Sequence, residues 1–398
     1  MRIIQTPCRM GSGEGEKLYL SWKEMAAEYG CRMEEICFLD IETTGFSRLY
    51  NSIYLIGYTA LEKGELITRQ ILAGGLKEEP ELLQSVLRDL RRFRGIVTYN
   101  GDMFDLPFIK ERARRLHVLS PEEEWWMKGL CSIDLIRRYR PYQTFFGWPD
   151  MKLKTVEQYL GASRMDPFDG GQLIEVFAAY EENPDERLEK TLLLHNYEDI
   201  VNLLSLLRAE RMIRCLRDGK ALAASLEGRF LRVQWDRAIP LTMEAALPLE
   251  KRKKKDIESD SAPLSCFRFE AESSVFEIGL PVFAQGQEVS LRYYLPKPGD
   301  YFFLPQTGEI VHRSLADGIP ANMRRKAKAE ECFLPAPEGT YLALPKLPEE
   351  IPSLPKLLRR EAKDPLGFVR AEELGSWLTE ASEEEIQIIV SGIVRLIG

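Results

Sequence analysis

The sequence predicts an α/β fold, namely a mixed five-stranded sheet flanked by helices and followed by a smaller β-rich C-terminal region. Three apolar, strand-like runs come first, and helix-like and strand-like patterns alternate after them. This order is typical of a mixed sheet with helices packed on it. From about residue 265 the pattern changes to short alternating segments separated by Pro and Gly, which indicates further β-structure.

The predicted strands of the sheet are short apolar runs bounded by turn residues. The first, ICFLDI, ends in a polar turn and is interpreted as a buried strand. Lys63 and Gly64 between the second and third runs indicate a hairpin. The predicted strands are 36–41, 53–60, 66–72, 95–99 and 130–136.

The predicted helices carry apolar residues at spacings of three and four. In the first of them Pro80 lies in the first turn, where its missing N–H costs nothing. The last begins in an acidic turn, which suits the positive end of a helix dipole, and continues as one long amphipathic helix. The predicted helices are 79–93, 106–116, 153–160, 171–180 and 185–216, with further helices at 323–331 and in the C-terminus from about residue 372.

Changes in composition and residue pattern along the chain predict four regions. An N-terminal extension covers residues 1–35, and the α/β domain covers 36–216. A connecting segment at 217–264 contains the basic run KRKKK, whose charge and Ser/Pro flank favour an exposed linker. The β-rich region with its terminal helix covers 265–398.

The composition is that of an ordinary globular protein of 398 residues, with a net charge of −8 from 54 basic and 62 acidic residues. Taken alone, this charge argues against a nucleic-acid binder, because phosphate contacts need Lys and Arg. Seven cysteines without a CxxC pair favour reduced thiols, and only three histidines argue against a Cys/His zinc cluster. No apolar run of about 18 residues is present, so we expect a cytoplasmic protein without a signal peptide or membrane contact.

The first chemical motif is DIETTG at the end of the first predicted strand. Asp40 and Glu42 are two residues apart in a strand, so their side chains point to the same side of the sheet. Two acids on a mostly apolar strand repel each other unless a cation lies between them, although a solvated strand end is the simpler alternative. The small residues Thr43, Thr44 and Gly45 then allow a substrate backbone to approach closely.

The second motif, YNGDMFDLPF, runs from a strand through an Asn-Gly turn into a helix. Asp105 is predicted as the N-cap of that helix, which alone explains an Asp at this position. The functional alternative is that Asp105 projects toward the end of the strand that carries Asp40. Asn100 is open to the same two interpretations, since it either contacts substrate or only forms the turn.

The third motif, HNYEDIVNL, lies on the long predicted helix. His195 and Asp199 are at i and i+4 and therefore share one face, whereas Tyr197 points to the apolar side. A His and an Asp beside a carboxylate-bearing strand form a metal and general-base arrangement. A solvated face with an incidental pair of polar residues is the alternative.

Taken in this order, the three motifs resemble those of the DEDD group of 3′–5′ exonucleases in the ribonuclease H-like superfamily. They look most like the YprB-like ribonuclease H-like domain proteins, and the resemblance covers about residues 36–212. It implies a ribonuclease H-like sheet and a metal-dependent nuclease that hydrolyses phosphodiester bonds of DNA or RNA. Four carboxylates would hold two Mg²⁺ or Mn²⁺ ions: Asp40, Glu42, Asp105 and Asp199.

The resemblance also implies a general base and a substrate pocket. His195 occupies the position where one subgroup has Tyr, and its place one turn before Asp199 favours it as the water-orienting base. Thr43, Thr44 and Gly45 would line the pocket of the 3′-terminal nucleotide, and Asn100 would contact the substrate near the metal ions. A single-stranded 3′ end is the expected partner. Four of the acidic residues then belong to the metal site, so the negative net charge no longer argues against nucleic acid.

Two other functional hypotheses remain open at this point. The chain could be a catalytically weak or inactive nucleic-acid-binding module of the same fold. It could also be an interaction protein whose nuclease-like half supports the C-terminal β region. The sequence does not distinguish DNA from RNA, or cleavage at an end from internal cleavage.

Overall fold

The computed structural model describes residues 1–8, 14–248, 264–284, 290–295 and 297–395. The chain divides into two compact units, one of Met1–Gln143 with Trp148–Ile213 and one of Thr144–Gly147 with Arg214–Gly398. The basic run KRKKK, on which the predicted linker depends, lies outside the described residues.

Over the described residues, the first unit contains a six-stranded mixed sheet of order β1-β4-β3-β2-β5-β6. Antiparallel pairing joins β1 to β4, β4 to β3 and β3 to β2, whereas β2–β5 and β5–β6 are parallel. The predicted mixed sheet flanked by helices is thus confirmed, with one more strand than expected. The strands are β1 (Arg2–Cys8), β2 (Ile36–Thr43), β3 (Ile53–Glu62), β4 (Glu65–Leu72), β5 (Gly95–Thr98) and β6 (Cys131–Asp134).

The additional strand β1 comes from the segment that the sequence assigned to an N-terminal extension. It lies at the edge of the sheet, where Pro7 is tolerated because an edge strand can lack one donor. The following helix also belongs to the unit, since Trp22 packs edge-on against Phe38 with ring centroids 5.1 Å apart. Residues 1–8 and 14–28 therefore contribute to the α/β unit itself.

Helices cover both faces of the sheet. On one face the buried side chains of β2–β4 pack with α2 and α3, and on the other Tyr54 and Leu55 pack with Phe177 and Leu192. The helix expected at 185–216 is two helices that part at Leu206. The helices up to that region are α1 (Glu14–Glu28), α2 (Glu79–Leu90), α3 (Asp105–Arg115), α4 (Pro121–Gly129), α5 (Leu135–Tyr139), α6 (Leu153–Tyr159), α7 (Gly170–Glu182), α8 (Glu186–Ser205) and α9 (Leu207–Asp218).

The second unit is rich in β-structure, as the sequence predicted. Its largest described sheet is antiparallel, of order β7-β8-β11-β10-β9, and residues 221–248 of the expected connecting segment supply three of these strands. The strands are β7 (Ala221–Glu227), β8 (Phe230–Trp235), β9 (Met243–Pro248), β10 (Leu264–Phe269), β11 (Val275–Gly279), β12 (Val282–Ala284), β13 (Arg292–Tyr294), β14 (Tyr301–Leu304), β15 (Glu309–His312), β16 (Arg325–Lys326), β17 (Phe333–Pro335), β18 (Thr340–Leu344) and β19 (Gly367–Arg370).

The structure contradicts one helix prediction in the second unit and confirms another. The basic stretch 323–331 is not a helix, because Arg325 and Lys326 form the short strand β16, which pairs with β14. The helix predicted at the C-terminus is confirmed as α11 (Glu383–Val394), and another helix, α10 (Ala371–Leu378), precedes it. Ser382 caps α11 by accepting the N–H of Glu385 at 3.3 Å.

No helix among the described residues is long and apolar enough to span a bilayer.

Candidate metal centre

Acidic side chains converge where β2 ends. Asp40 and Glu42 lie on the same face of β2, and helix α8 crosses that face. Asn196 of α8 is completely buried, and its Nδ2 donates to Asp40 Oδ2 at 2.9 Å. The amide oxygen of Asn196 accepts from Gln70 Nε2 at 3.0 Å, so a hydrogen-bonded chain runs from β4 to the Asp40 carboxylate.

Gly57 on β3 explains why α8 can come this close to the sheet. Gly57 pairs with Asp40 on one side and with Gln70 on the other. A Cβ atom at position 57 would lie 2.2 Å from Asn196 Oδ1 and 2.3 Å from Ile200 Cδ1. A glycine inside an otherwise apolar strand is a sequence signal for such close approach, and it could have indicated this contact.

Asp105, at the start of α3, lies near the acidic side chains of β2. The N-cap prediction is wrong, because Phe104 is the N-cap residue and Asp105 is the first helical residue of α3. Burial raises the pKa of Asp105 to about 7, although the N–H groups of Asp105 itself and of Ile41 on β2 act against the rise. The influence of the Ile41 N–H on this pKa indicates that the Asp105 carboxylate lies close to β2, the strand that carries Asp40.

His195 and Asp199 complete the cluster from helix α8. The Nε2 atom of His195 lies 3.5 Å from Glu42 Oε1 and 3.6 Å from Asp199 Oδ2. Glu42, His195 and Asp199 each offer one ligand atom, and these atoms lie within 4.8 Å of one another. The imidazole ring of His195 therefore lies close to the carboxylates of both Glu42 and Asp199.

The electrostatics of the cluster favour a bound cation. Burial, followed by the negative charges of Asp199 and the other acids, raises the pKa of Asp40 and of Glu42 well above their usual values. Such carboxylates are stable as anions only when a positive charge compensates them. Carboxylate oxygens with one imidazole are a donor set that fits a hard divalent metal ion.

The loop between α6 and α7 adds charged residues that the sequence analysis did not assign to the site. Asp166 Oδ2 lies 2.5 Å from His195 Nδ1 and accepts from Lys154 Nζ at 3.1 Å. The Arg164 guanidinium lies 2.5 Å from Asp199 Oδ1, and its Nε and Nη2 also donate to the Glu157 carboxylate of α6, Nη2 at 2.8 Å. The loop sequence SRMDPF matches no motif, so only the tertiary structure could identify these residues as part of the site.

The residues expected to contact substrate lie in two tight turns. In the turn after β2, Thr43 Oγ1 donates to the carbonyl of Gly45 at 2.8 Å, and Thr44 Oγ1 accepts from the N–H of Ser52 at 3.0 Å. Asn100 has a φ of 70°, and its N–H donates to Asp134 Oδ1 at 2.9 Å. The two threonine contacts stabilise the turn after β2, whereas the Asn100 contact ties its turn to Asp134 at the end of β6.

Removing one carboxylate should stabilise the metal-free protein. In EDTA at neutral pH we expect Asp40→Asn to raise the melting temperature by a few degrees, because about 1 kcal/mol of relieved repulsion shifts a domain of this size by roughly 2–4 °C. Asparagine keeps an oxygen that can accept from Asn196. Added Mn²⁺ should raise the melting temperature of wild type more than that of Asp40→Asn. A thermal shift assay checks both, and equal Mn²⁺ shifts in the two proteins would argue against a metal at this cluster.

Comparison with known proteins covers the segment that carries the three motifs. Residues 37–209 match the family model described as the RNase_H superfamily. Over 295 residues the chain is 25% identical to the uncharacterized protein YprB of Bacillus subtilis (strain 168), a match that spans 70% of this chain and 68% of that protein. Among solved structures, the family B DNA polymerase of the hyperthermophilic archaeon Pyrobaculum calidifontis matches with 19% identity and a TM-score of 0.34. That match covers 46% of this chain and 25% of the polymerase chain.

Proposed function

Residues 37–209 form a ribonuclease H-like domain, and from this premise we propose that the protein is a metal-dependent nuclease that hydrolyses phosphodiester bonds of DNA or RNA from a 3′ end. The observation that carries the proposal is the crowding of Glu42 and Asp199 around His195, together with raised carboxyl pKa values of Asp40 and Glu42 on β2. The 3′–5′ direction rests on the resemblance of the motif order to the DEDD exonucleases.

The carboxylates of Asp40, Glu42, Asp105 and Asp199 are the proposed ligands of two Mg²⁺ or Mn²⁺ ions. When bound, such ions activate a water molecule and stabilise the leaving 3′ oxygen. Asn196 and the N–H of Ile41 orient the carboxylates of Asp40 and Asp105. His195 accepts the proton of the attacking water at Nε2, the ring nitrogen that faces Glu42 and Asp199.

The proposed substrate is a single-stranded 3′ end. The turns of Thr43, Thr44, Gly45 and Asn100 follow β2 and β5, whose parallel carboxyl ends lie next to each other in the sheet. Binding-site loops gather at this edge of α/β sheets, which supports the placement of the terminal nucleotide there. Asn100 also lines an open cavity of about 590 Å³ together with Arg137 and Arg140.

A second candidate is a nucleic-acid-binding module of low or absent activity. The observation that favours it is the contact of 2.5 Å between Arg164 and Asp199, because this guanidinium occupies an oxygen of a proposed metal ligand. A fixed cation at that carboxylate opposes the approach of a metal ion. The two candidates differ in turnover and not in fold.

A cleavage assay on 5′-labelled single strands tests the proposal. With Mg²⁺ or Mn²⁺ we expect a ladder of products shortened from the free 3′ end of DNA, RNA or both, and no ladder in EDTA. Oligonucleotides with a blocked 3′ end should stay intact, whereas their internal cleavage would indicate an endonuclease. Retained binding without metal-dependent cleavage of any strand would favour the second candidate.

Separate substitutions of His195 and of its neighbour Tyr197 should test the assignment of the general base to His195. We expect His195→Ala to lower kcat by roughly 10²- to 10⁴-fold, the usual contribution of a positioned general base. Tyr197→Phe should change kcat by less than about threefold, because Tyr197 lies on another side of the helix. Single-turnover cleavage of one oligonucleotide measures both variants. Equal losses would exclude the assignment of the base to His195.

A further inference from the structure

We infer that Asp166, from the loop between α6 and α7, is a positioning residue that sets the tautomer and ring orientation of His195. The inference rests on the proposed function, in which His195 Nε2 is the proton acceptor. It adds a fourth sequence element to the three motifs of the site, and no residue of that element was expected from the sequence.

The contact between the two side chains fixes which nitrogen carries the proton. His195 Nδ1 lies 2.5 Å from Asp166 Oδ2, and both residues are buried, at 3% and 6% exposure. An ionised carboxylate only accepts hydrogen bonds, so Nδ1 must be the donor. In the neutral ring the lone pair is then on Nε2.

The other ring nitrogen has the surroundings that a proton acceptor needs. Its distances to Glu42 and Asp199, 3.5 and 3.6 Å, are longer than hydrogen bonds. Among the described residues, these two carboxylates are the acidic groups that face Nε2. The Nε2 lone pair therefore points into the proposed metal centre, and no described protein donor forms a hydrogen bond with it there.

The Asp166 carboxylate is itself held in place. Its Oδ1 accepts the N–H of Phe168 at 3.1 Å, and Lys154 donates to Oδ2 at 3.1 Å. Burial acts against ionisation, but the donors of Phe168, His195 and Lys154 together keep the pKa of Asp166 below its usual value. Asp166 thus remains an acceptor at neutral pH.

The loop backbone is tied to the same turn of α8 that carries the site. The N–H groups of Met165 and Asp166 each donate to the carboxylate of Glu198 at 2.9 Å. Glu198 is the neighbour of Asp199 in the chain, so the loop cannot shift without disturbing the helix turn of His195 and Asp199. The position of Asp166 relative to the metal centre is consequently fixed by its side-chain contact with His195 and by the backbone contacts of the loop with Glu198.

Nitrogen-15 NMR of the full chain tests the inference without any need for turnover. The sequence has only three histidines, so selective ¹⁵N-His labelling gives few signals, and His195→Gln assigns one of them. We expect wild-type His195 to show a protonated Nδ1 and an unprotonated Nε2. In Asp166→Asn the carboxamide can donate to Nδ1, so the signal should move toward the tautomer protonated at Nε2.

Kinetics give the second readout. Asp166→Asn should lower kcat by roughly 10²- to 10⁴-fold with KM within about threefold, as expected for a histidine held in the wrong tautomer. Asp166→Glu retains a carboxylate and should recover part of the loss and keep the wild-type tautomer. The control is Asp364→Asn in the second unit, which removes an equally buried carboxylate bound to Arg360 but should change neither the His195 signals nor kcat.

The outcomes separate this inference from the proposed function. A wild-type His195 protonated at Nε2 alone would overturn the inference, even if Asp166→Asn failed to fold. Unchanged His195 signals in Asp166→Asn, with a loss of stability like that of Asp364→Asn, would reduce Asp166 to a structural role. Wild type could cleave no substrate while the His195 tautomer still changes between wild type and Asp166→Asn. In that case the positioning role of Asp166 stands and the nuclease proposal fails.

Discussion

Asp199→Asn should lower metal-dependent cleavage by about 10³-fold, because metal ions contribute several kcal/mol of transition-state stabilisation and about 1.4 kcal/mol corresponds to tenfold. Asparagine has the same shape and keeps an oxygen for Arg164, but it loses the charge that holds a cation. Single-turnover cleavage of a 5′-labelled strand at saturating Mg²⁺ or Mn²⁺ measures the loss.

A second substitution on the same helix controls for the general effect of neutralising one acidic side chain. Glu186→Gln neutralises an exposed carboxylate near the start of α8, where it forms an ion pair with the exposed Lys190 at 2.7 Å. We expect its activity to stay within about twofold of wild type, because exposed ion pairs contribute about 0–1 kcal/mol. Full activity of Asp199→Asn would remove Asp199 from the metal centre.

Gly57→Ala should damage stability and activity together. The added methyl group would meet Asn196 and Ile200 at 2.2 and 2.3 Å, so α8 must move away from β3. Overpacking of a buried contact costs typically 1–3 kcal/mol. The same displacement separates Asn196 from Asp40 and moves His195 and Asp199, and a shift of about 1 Å at a catalytic group costs on the order of 10²-fold in rate.

Gly129→Ala is the matched control for this substitution. Apart from the chain neighbours and the backbone of its own helix, no described atom lies within 4 Å of a Cβ at position 129, so the unfolding free energy of this variant should stay within about 0.5 kcal/mol of wild type. Urea unfolding and single-turnover cleavage of both variants give the comparison. If Gly57→Ala keeps wild-type stability and rate, α8 is not held against the sheet at Gly57.

Much of the α/β unit could be predicted because its signals are local. The runs ICFLDI and IYLIGYTA are apolar enough to indicate buried strands, and their strands β2 and β3 lie at the centre of the sheet. The strand β1 escaped prediction because an edge strand with Pro7 lacks a strong apolar pattern. The division at Leu206 escaped because both helices continue the same apolar spacing.

The corrected features of the second unit have a similar cause. The stretch 323–331 has helix-forming residues, but pairing of Arg325 and Lys326 with β14 and stacking of Arg324 and Arg325 on Phe302 and Phe303 override that propensity. Short strands of two or three residues give almost no period in a sequence, so only their partners define them. The resemblance to the ribonuclease H-like superfamily, by contrast, is confirmed over residues 37–209.

The sequence by itself determined which acids can meet. Spacing of two in a strand puts Asp40 and Glu42 on one face, and spacing of four in a helix does the same for His195 and Asp199. Tertiary structure alone decided what supports them: Asn196 behind Asp40, Arg164 beside Asp199 and Asp166 behind His195. Periodicity reports only neighbours within one element, whereas these supports come from a helix crossing a strand and from a loop packed against a helix about thirty residues away in the chain.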